Sequence, residues 1–424
     1  MNGFCDIAII GGGPAGLAAA IAAYDAGVED IVILEREKKT GGILNQCVHN
    51  GFGLHTFKEE LTGPEYAQRF IDQVKQRNIE CLINTTVINV SKDKTVTYVN
   101  AEQGVVAIKA KAIIFACGCR ERPRGAINIA GARCAGIYSA GTAQRLVNME
   151  GLKPGNEVVI LGSGDIGLIM ARRMTFDGCH VNACVELMPY SSGLNRNIVQ
   201  CLRDYNIPLM LSHTVTKINA VDGRLSSVVI AAVDEKLCPV PGTETEIKCD
   251  TLLLSVGLLP ENELARGTGV GMSPITGGAE VDDDMMTNID GVFECGNVLH
   301  VHDLVDFVSK ESELAGEKAA EYISGGEKSD AEKVTFSTFG GVRYVVPQKI
   351  NRAGENKELS LKMRVGAVKK NVCLEVIADG EVVVSKPRKV VTPGEMENLA
   401  LTGAQVEKLR KANEISVGLN GGEQ

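Results

Sequence analysis

The sequence predicts an α/β protein with two parallel-sheet units, one inserted in the other, and a small β-rich domain at the C-terminal end. Three observations carry this. Glycine supplies 47 of the 424 residues, about 11% against a usual ~7%, while aromatics are 4% and Trp is absent. The glycines gather into two strand–turn–helix segments of the same design. Beyond about residue 330, apolar and polar residues alternate with the period of strands, as in Lys369–Ala378 and Glu381–Lys386.

The first segment is an apolar strand over Asp6–Ile10, the turn Gly11-Gly12-Gly13-Pro14-Ala15-Gly16 and a helix from Leu17 to about Ala26. Gly27 stops that helix, and the strand Ile31–Leu34 closes on Glu35. The same grammar returns at Glu157–Leu161, with the turn Gly162-Ser163-Gly164-Asp165-Ile166-Gly167. A helix to about Phe176 follows, and then the strand Val181–Val185, which closes on Glu186. Gly11 to Glu35 and Gly162 to Glu186 are both 24 residues apart. One G-x-G-x-x-G is a weak signal; two, each between strand and helix and each answered by an acid, are strong. The first glycine makes the tight turn, the second lets backbone approach a pyrophosphate, and the third lets helix pack on strand. The diphosphate then sits on free N–H groups at the positive end of the helix dipole. Glu35 and Glu186 are placed to accept from ribose hydroxyls, and Glu186 would repel a 2′-phosphate, which favours NAD over NADP. Two Rossmann-like dinucleotide sites in one chain imply electron traffic, and the usual pair is a flavin and a nicotinamide, FAD and NAD.

Between the two turns, Glu65–Gln76 reads as helix, Glu80–Val90 and Thr95–Val99 as strands, and Ala112–Ala116 as a buried strand. After them come strands near Leu225–Val233, Thr251–Val256 and Gly291–Cys295, and a helix over Asp303–Tyr322. Ser324–Asp330 is a polar, glycine-bearing linker. The expected organisation is a first FAD-domain part at 1–120, an NAD domain at 121–249, a second FAD-domain part at 250–325 and a β-rich interface domain at 331–424. A short helix is expected near Gly403–Ala412.

Basic residues number 44 and acidic 53, a net charge of −9. That balance disfavours nucleic acid, which selects a basic footprint, and anionic membrane. No apolar run approaches the ~18 residues of a span. Thirteen cysteines without a secretory leader point to a reducing, cytoplasmic compartment.

The motifs resemble those of the pyridine nucleotide-disulfide oxidoreductase superfamily over about residues 4–325. Ala116-Cys117-Gly118-Cys119-Arg120-Glu121-Arg122-Pro123 resembles the family's crossing from flavin to nicotinamide domain, with Cys117 in place of the usual Thr. Ser255-Val256-Gly257-Leu258-Leu259-Pro260-Glu261 resembles the return crossing. Gly291-Val292-Phe293-Glu294-Cys295-Gly296-Asn297 resembles the second flavin motif, with Asn297 where the family has Asp; an amide still bonds a hydroxyl. The resemblance implies cofactor contacts from Gly11, Gly13, Pro14, Ala15, Gly16, Glu35, Arg36 and Gly42. Val87 would reach adenine through its backbone, and Ala116, Cys117 and Gly118 would follow. For NAD it implies Gly162, Gly164, Asp165, Ile166, Gly167, Glu186 and Gly257. Gly296, Asn297 and the Val305 backbone would complete the flavin site, with the helix near Asp303 turned by its N-terminus toward the flavin. No metal site is expected.

The sequence argues against a disulfide reductase. The Cys-x4-Cys that family members place after the second Gly-Gly is here a single Cys47, within Gly42-Ile43-Leu44-Asn45-Gln46-Cys47-Val48-His49. All six histidines lie at or before His302, and no Cys-x-x-Cys occurs. Cys179 and Cys184 are five apart along a strand, ~16 Å, beyond disulfide reach; they read as core, and Cys117 and Cys119 as small packing residues. Cys47 and His49, with His55 nearby, remain the catalytic candidates. A neighbouring histidine would have to lower the Cys47 pKa for it to act as nucleophile or charge-transfer donor; otherwise it is a packing residue in a histidine-oriented loop. His300 and His302 either line the same pocket or bond backbone.

Four segments resemble a narrower group, FAD-dependent oxidoreductase subunits of bacterial glycerol-type operons. They are Gly42–Cys47, Leu61-Thr62-Gly63-Pro64-Glu65-Tyr66, Val298-Leu299-His300-Val301-His302-Asp303 and Gly341-Val342-Arg343-Tyr344-Val345-Val346-Pro347. That resemblance implies a partner flavoprotein of glycerol-3-phosphate or 2-hydroxy acid dehydrogenase or oxidase type, a small cysteine-rich electron-transfer protein and a homo- or hetero-oligomer. Three readings stay open. One is an NADH:FAD oxidoreductase within a multi-component dehydrogenase. Another is a single-cysteine NADH oxidase or peroxidase using Cys47. The third is a non-catalytic nucleotide-binding scaffold or redox sensor.

Overall fold

The computed structural model describes residues 3–325 and 332–422; the predicted linker from Gly326 onward lies outside them. The chain divides into two compact units, residues 1–119 with 260–424 and residues 120–259. In the first, a seven-stranded sheet runs in the order Glu80–Leu82, Ile31–Leu34, Phe4–Ile10, Gly104–Phe115, Thr95–Asn100, Thr86–Val90, and Val292–Glu294 also pairs with Gly104–Phe115. Phe4–Ile10 is parallel to both neighbours. Its Ile7, Ala8 and Ile9 are completely buried, which is why this strand reads as a continuous apolar run rather than an alternating one.

Helix Pro14–Asp25 begins three residues earlier than the sequence suggested. Proline is at home in a first turn, where its missing N–H has no partner to lose. Helix Gly63–Gln76 starts on a capping box: the Thr62 hydroxyl accepts from Glu65 N–H, and the Glu65 carboxylate accepts from Thr62 N–H at 2.8 Å. Helix Val305–Ile323 lies on Pro14–Asp25 at a separation only glycine allows. A Cβ on Gly316 would stand 2.1 Å from the Ala19 carbonyl oxygen. A Cβ on Gly296 would stand 2.8 Å from Ala15 Cβ and 3.2 Å from Val308 Cγ1. Residues 15 and 308 therefore face each other, as do 19 and 316, so the helices run parallel and their N-termini share one end of the sheet.

The second unit holds a parallel sheet in the order Ile137–Ser139, Thr251–Leu254, Glu157–Leu161, His180–Val185, Leu209–Met210, and a four-stranded sheet of Ala130–Gly131, His213–Val221, Arg224–Ala232 and Thr245–Lys248. This corrects the expected return at residue 250. Thr251–Leu254 is buried throughout and pairs with Glu157–Leu161, so the inserted unit keeps this strand and ends at Leu259.

The β-rich segment has its own apolar core, including Leu361, Met363, Leu374, Val376, Val406 and Val417. A five-stranded sheet, a three-stranded sheet and helix Gly403–Lys411 surround it. It joins the flavin-type fold through an acidic triplet. Asp282 pairs with Lys333 at 2.7 Å and Asp283 with Arg410 at 2.7 Å, and Asp284 accepts from Asn351 Nδ2 at 3.3 Å. Arg410 also donates to the carbonyls of Asn351 and Glu355, and both members of its ion pair are buried. Removing one partner of a buried pair strands the other charge, at a cost of ~3–5 kcal/mol. Arg410→Met is therefore expected to lower stability in urea by about 3 kcal/mol, and Arg410→Met/Asp283→Asn to recover most of that loss. Equal losses in the two variants would contradict a charge-based joint.

Candidate dinucleotide sites

The two glycine turns have the same construction. Gly11 and Gly162 hold φ of +111° and +99°, and Cβ atoms on them would fall 2.5 Å from Ala116 O and 2.0 Å from Ser255 O. Cβ atoms on Gly16 and Gly167 would fall 1.9 and 2.7 Å from the carbonyl oxygens of Gly11 and Gly162. These four positions are closed against the protein. Gly13 and Gly164 are open: a Cβ on Gly13 would meet nothing nearer than Gly42 Cα at 3.9 Å, and on Gly164 nothing nearer than 3.7 Å. Each open glycine is the N-cap of its helix and provides no side-chain cap. The first-turn N–H groups thus face a cradle that a side chain would fill, and a diphosphate fits it twice.

Glu35 and Glu186 play matching parts. The Glu35 carboxylate accepts from Gly12 N–H at 2.7 Å and Glu37 N–H at 2.8 Å. The Glu186 carboxylate accepts from Ser163 N–H at 2.8 Å, the Ser163 hydroxyl at 2.5 Å and Met188 N–H at 2.9 Å. Each acid ties its strand to its own glycine turn and keeps lone pairs for a ribose hydroxyl. Sequence spacing placed these acids and did not reveal the ties. Asp165 is turned aside from the cradle, with one oxygen accepting from Leu194 N–H at 2.9 Å and Asn197 Nδ2 at 2.7 Å; its side chain anchors a loop. Ile166 packs on the core of its unit. Gly257, at φ +99°, accepts from Arg122 N–H at 3.0 Å.

On the flavin side, Gly41 N–H donates to Gly12 O at 2.7 Å, and a Cβ on Gly42 would stand 2.9 Å from Gly13 Cα. Gly42 therefore seals the first turn from the side. Arg36 is exposed just beyond Glu35. Thr85 N–H donates to Glu35 O at 2.9 Å, which brings Val87, on strand Thr86–Val90, to that end of the sheet. Ala116 N–H donates to Ile10 O at 2.9 Å, and the Cys117 thiol donates to the same oxygen at 3.5 Å. Burial pushes that thiol up to about 12, as suits a packing residue. Gly118, at φ +70°, accepts from Glu261 N–H at 3.0 Å.

Gly296 and Asn297 follow strand Val292–Glu294. Asn297 Oδ1 accepts from His302 N–H at 3.0 Å, and its Nδ2 lies 3.7 Å from Cys119 Sγ. Val305 opens its helix without a side-chain cap. At the next position, buried Asp306 accepts from the N–H groups of Gly53, His55 and Thr56 at 3.3, 3.2 and 2.8 Å. It thereby fastens the loop that follows Cys47 and His49 to this helix end.

Cys47 itself departs from the expectation of an activated thiol. It donates to Ile43 O at 3.3 Å, and burial pushes it up to about 12. A thiolate, which a nucleophile requires, is disfavoured. His49 turns Nδ1 to Asn50 O at 3.0 Å, so that nitrogen carries a proton, and its ring sits 5.0 Å from that of Phe52.

The site residues that sequence reasoning missed are Asp306, Glu294 and Glu311. The Glu311 carboxylate is buried. Its Oε1 accepts from Gly296 N–H at 2.9 Å, and its Oε2 lies 2.9 Å from His300 Nε2, 3.2 Å from His302 Nε2 and 2.6 Å from Lys362 Nζ. His302 Nδ1 faces the His300 carbonyl at 3.0 Å and must donate to it. Burial holds His300 down at about 4, in its neutral form, while Lys362 and the two histidines hold Glu311 well below the usual carboxylate range in spite of burial. The two imidazoles and Glu311 present ligand atoms within 4.8 Å of one another, a spacing that would suit a divalent ion. The Lys362 ammonium sits on the shared oxygen and balances the carboxylate, so an added dication would meet an uncompensated charge. The signal for Glu311 was its place among Val308, Ser312, Ala315 and Ala319 on the buried face of its helix.

The chain matches the pyridine nucleotide-disulphide oxidoreductase model over residues 5–319. It belongs to that family. It is an FAD- and NAD(P)-dependent oxidoreductase. It is 26% identical to the ferredoxin–NADP reductase of Ignicoccus hospitalis over 76% of this chain and 99% of that one. It is 24% identical to the hydrogen cyanide synthase subunit HcnB of Pseudomonas protegens over 62% of this chain and 58% of the relative, so it spans little more than half of that protein. A T. acidophilum thioredoxin reductase shares the fold, with a TM-score of 0.61, 22% identity, and coverage of 76% of this chain and 98% of that one. None of the helices in the described residues is long and apolar enough to cross a membrane.

Glu294, immediately before the Cys295-Gly296-Asn297 turn, accepts from Ala279 N–H at 2.8 Å. Full burial pushes its acid from 4.5 to about 8. The folded chain then binds more protons here than the unfolded chain, so stability falls as pH rises from about 4.5 to about 8. The FAD-loaded protein is expected to lose stability between pH 6 and pH 8, on the order of 2 kcal/mol, read as a fall in thermal midpoint. Glu294→Gln is expected to flatten that profile; an unchanged slope would remove Glu294 as its source.

Proposed function

We propose that this oxidoreductase works as an NADH:FAD electron-transfer subunit that exchanges electrons with a partner redox protein rather than with a dithiol of its own. One observation carries this: the same open cradle is built twice, in a chain that contains no Cys-x-x-Cys and has a single cysteine, Cys47, after its Gly41-Gly42. FAD would lie on the first turn and NAD on the second. When bound, the flavin supplies the chemistry, accepting hydride at N5 from nicotinamide C4. The residues named above supply position: Gly13 and Gly164 admit the diphosphates, Glu35 and Glu186 receive riboses, and Asp306 fixes the Cys47–Thr56 loop. No protein acid or base is needed for hydride transfer.

Several relatives bear names of parts of larger enzymes: HcnB, one of the opine oxidase subunits of Agrobacterium tumefaciens, and the glutamate synthase small chain of Mycobacterium tuberculosis. They support reading this chain as one component of a multi-component dehydrogenase. The glycerol-operon resemblance suggests a glycerol-3-phosphate or 2-hydroxy acid flavoprotein as partner, with the β-rich segment as docking or dimerisation surface and the cytoplasm as location. Co-purification with co-expressed operon neighbours tests the partnership.

Anaerobic NADH should bleach the flavin band near roughly 450 nm, and Cys47→Ser should reduce at a rate within about twofold of wild type. Bound FAD that NADH leaves oxidised would refute the proposal, and collapse of turnover in the serine variant would move the chemistry to Cys47, as in an NADH oxidase. NADH should outpace NADPH by at least about tenfold, the ~1.4 kcal/mol expected from placing a phosphate against Glu186; equal rates would contradict that role.

A further inference from the structure

We infer that the β-rich C-terminal segment is part of the flavin site, with Lys362 and Arg364 as positioning residues for the loop from Gly296 to Asp303. The inference rests on the reading that FAD lies against Gly296 and Asn297.

Both residues lie on strand Leu359–Val365, with their side chains alternating with the core residues Leu361 and Met363. Lys362 is only 12% exposed and donates to Glu311 Oε2 at 2.6 Å. Glu311 Oε1 in turn holds Gly296 N–H, the first polar group of the turn that opens the flavin contact. Arg364 donates to Val301 O at 3.1 Å, to Gly394 O at 2.7 Å and to the Asp303 carboxylate. The other oxygen of Asp303 accepts from Met396 N–H at 2.7 Å. Tyr344, also from the C-terminal segment, stands edge-on to His300 at 6.2 Å. Between these anchors, Asn297 Oδ1 is fixed by His302 N–H, and Asn262 Nδ2 holds Val298 O at 2.7 Å. Both ends of the loop are thus held by chains of contact that run into the β-rich segment: Gly296 through Glu311 to Lys362, and Val301 and Asp303 directly to Arg364.

The chemistry explains why a lysine stands there. Glu311 is needed to hold Gly296 N–H and the two imidazoles, and a carboxylate buried beside a flavin would oppose its gain of electrons. The Lys362 ammonium cancels that charge at its source. The close contacts at Gly11, Gly16 and Gly42 that shape the first cradle come from residues 1–119; the second flavin contact is set by a residue beyond 331.

The test uses the full chain, stripped of FAD and reconstituted. FAD affinity is read by fluorescence quenching, and the flavin midpoint potential by dye equilibration. Lys362→Met is expected to weaken FAD binding about tenfold and to displace the potential to more negative values by at least about 30 mV, a tenfold change for a two-electron couple. Lys362→Arg is expected to stay within about threefold of wild type. Lys333→Met, which removes an ion pair to Asp282 elsewhere on the same joint, is expected to leave affinity and potential unchanged. If Lys362→Met does not fold, Arg364→Met is read in its place, with about fivefold weaker FAD binding expected. Asn297→Ala separates the two levels. If it weakens FAD while Lys362→Met and Arg364→Met do not, this inference is overturned and the flavin site stands. If it binds FAD as wild type does, the site and the inference fall together. Equal weakening by Lys333→Met and Lys362→Met would also overturn it, as general loosening of the joint.

Discussion

Everything at the two nucleotide turns depends on backbone meeting backbone at distances that exclude a Cβ. Gly16 and Gly167 bring a helix onto the carbonyl of the first glycine in their own turns, and Gly11 and Gly162 bring those turns onto the strand beyond. With these four contacts closed, the middle glycine of each turn is left at the mouth, and the start of the helix opens on a space that a side chain there would fill. An anion site thus follows from steric exclusion rather than from any charged side chain. The same constraint recurs at Gly316 on Ala19 and Gly296 on Ala15, which sets two helices parallel and gathers their positive ends on one side of the sheet.

The glycine turns were legible in the sequence because such contacts tolerate one residue type, and the acids because the next strand has a fixed length. The two-unit plan followed from those. The boundary at 250 was misplaced for the opposite reason: Thr251–Leu254 is an apolar run that would suit either sheet, and only its pairing with Glu157–Leu161 decides. The contacts of Asp306 and Glu311 were not legible, since they join residues 250 positions apart or bridge to the β-rich segment. Nothing in local spacing marks an acid for a backbone so distant.

The cysteines illustrate how composition misleads. Thirteen thiols in a chain with a disulfide-reductase fold suggest redox chemistry. Yet burial raises Cys5, Cys47, Cys117, Cys184, Cys249 and Cys295 alike. A low dielectric penalises a thiolate whatever its family position, so these side chains act as small apolar groups with a weak donor. What sets Cys47 apart is only that its loop is pinned by Asp306 near the helix end that faces the flavin cradle.

That pinning bears on how the chain divides its labour. The inserted unit carries its own copy of the cradle, with its acid Glu186, its open Gly164 and its anchoring Asp165. The flavin fold is different. Its second contact loop is ordered by Glu311, whose buried carboxylate is held by the Lys362 ammonium together with His300 and His302. A charge that must be cancelled at that depth cannot be cancelled by solvent, and among the described residues the ammonium on Glu311 comes from strand Leu359–Val365. The β-rich segment is therefore tied to the flavin half by electrostatic need as well as by packing. A surface offered to another molecule by the three-stranded sheet of that segment would lie on the same sheet whose Lys362 reaches Gly296 through Glu311.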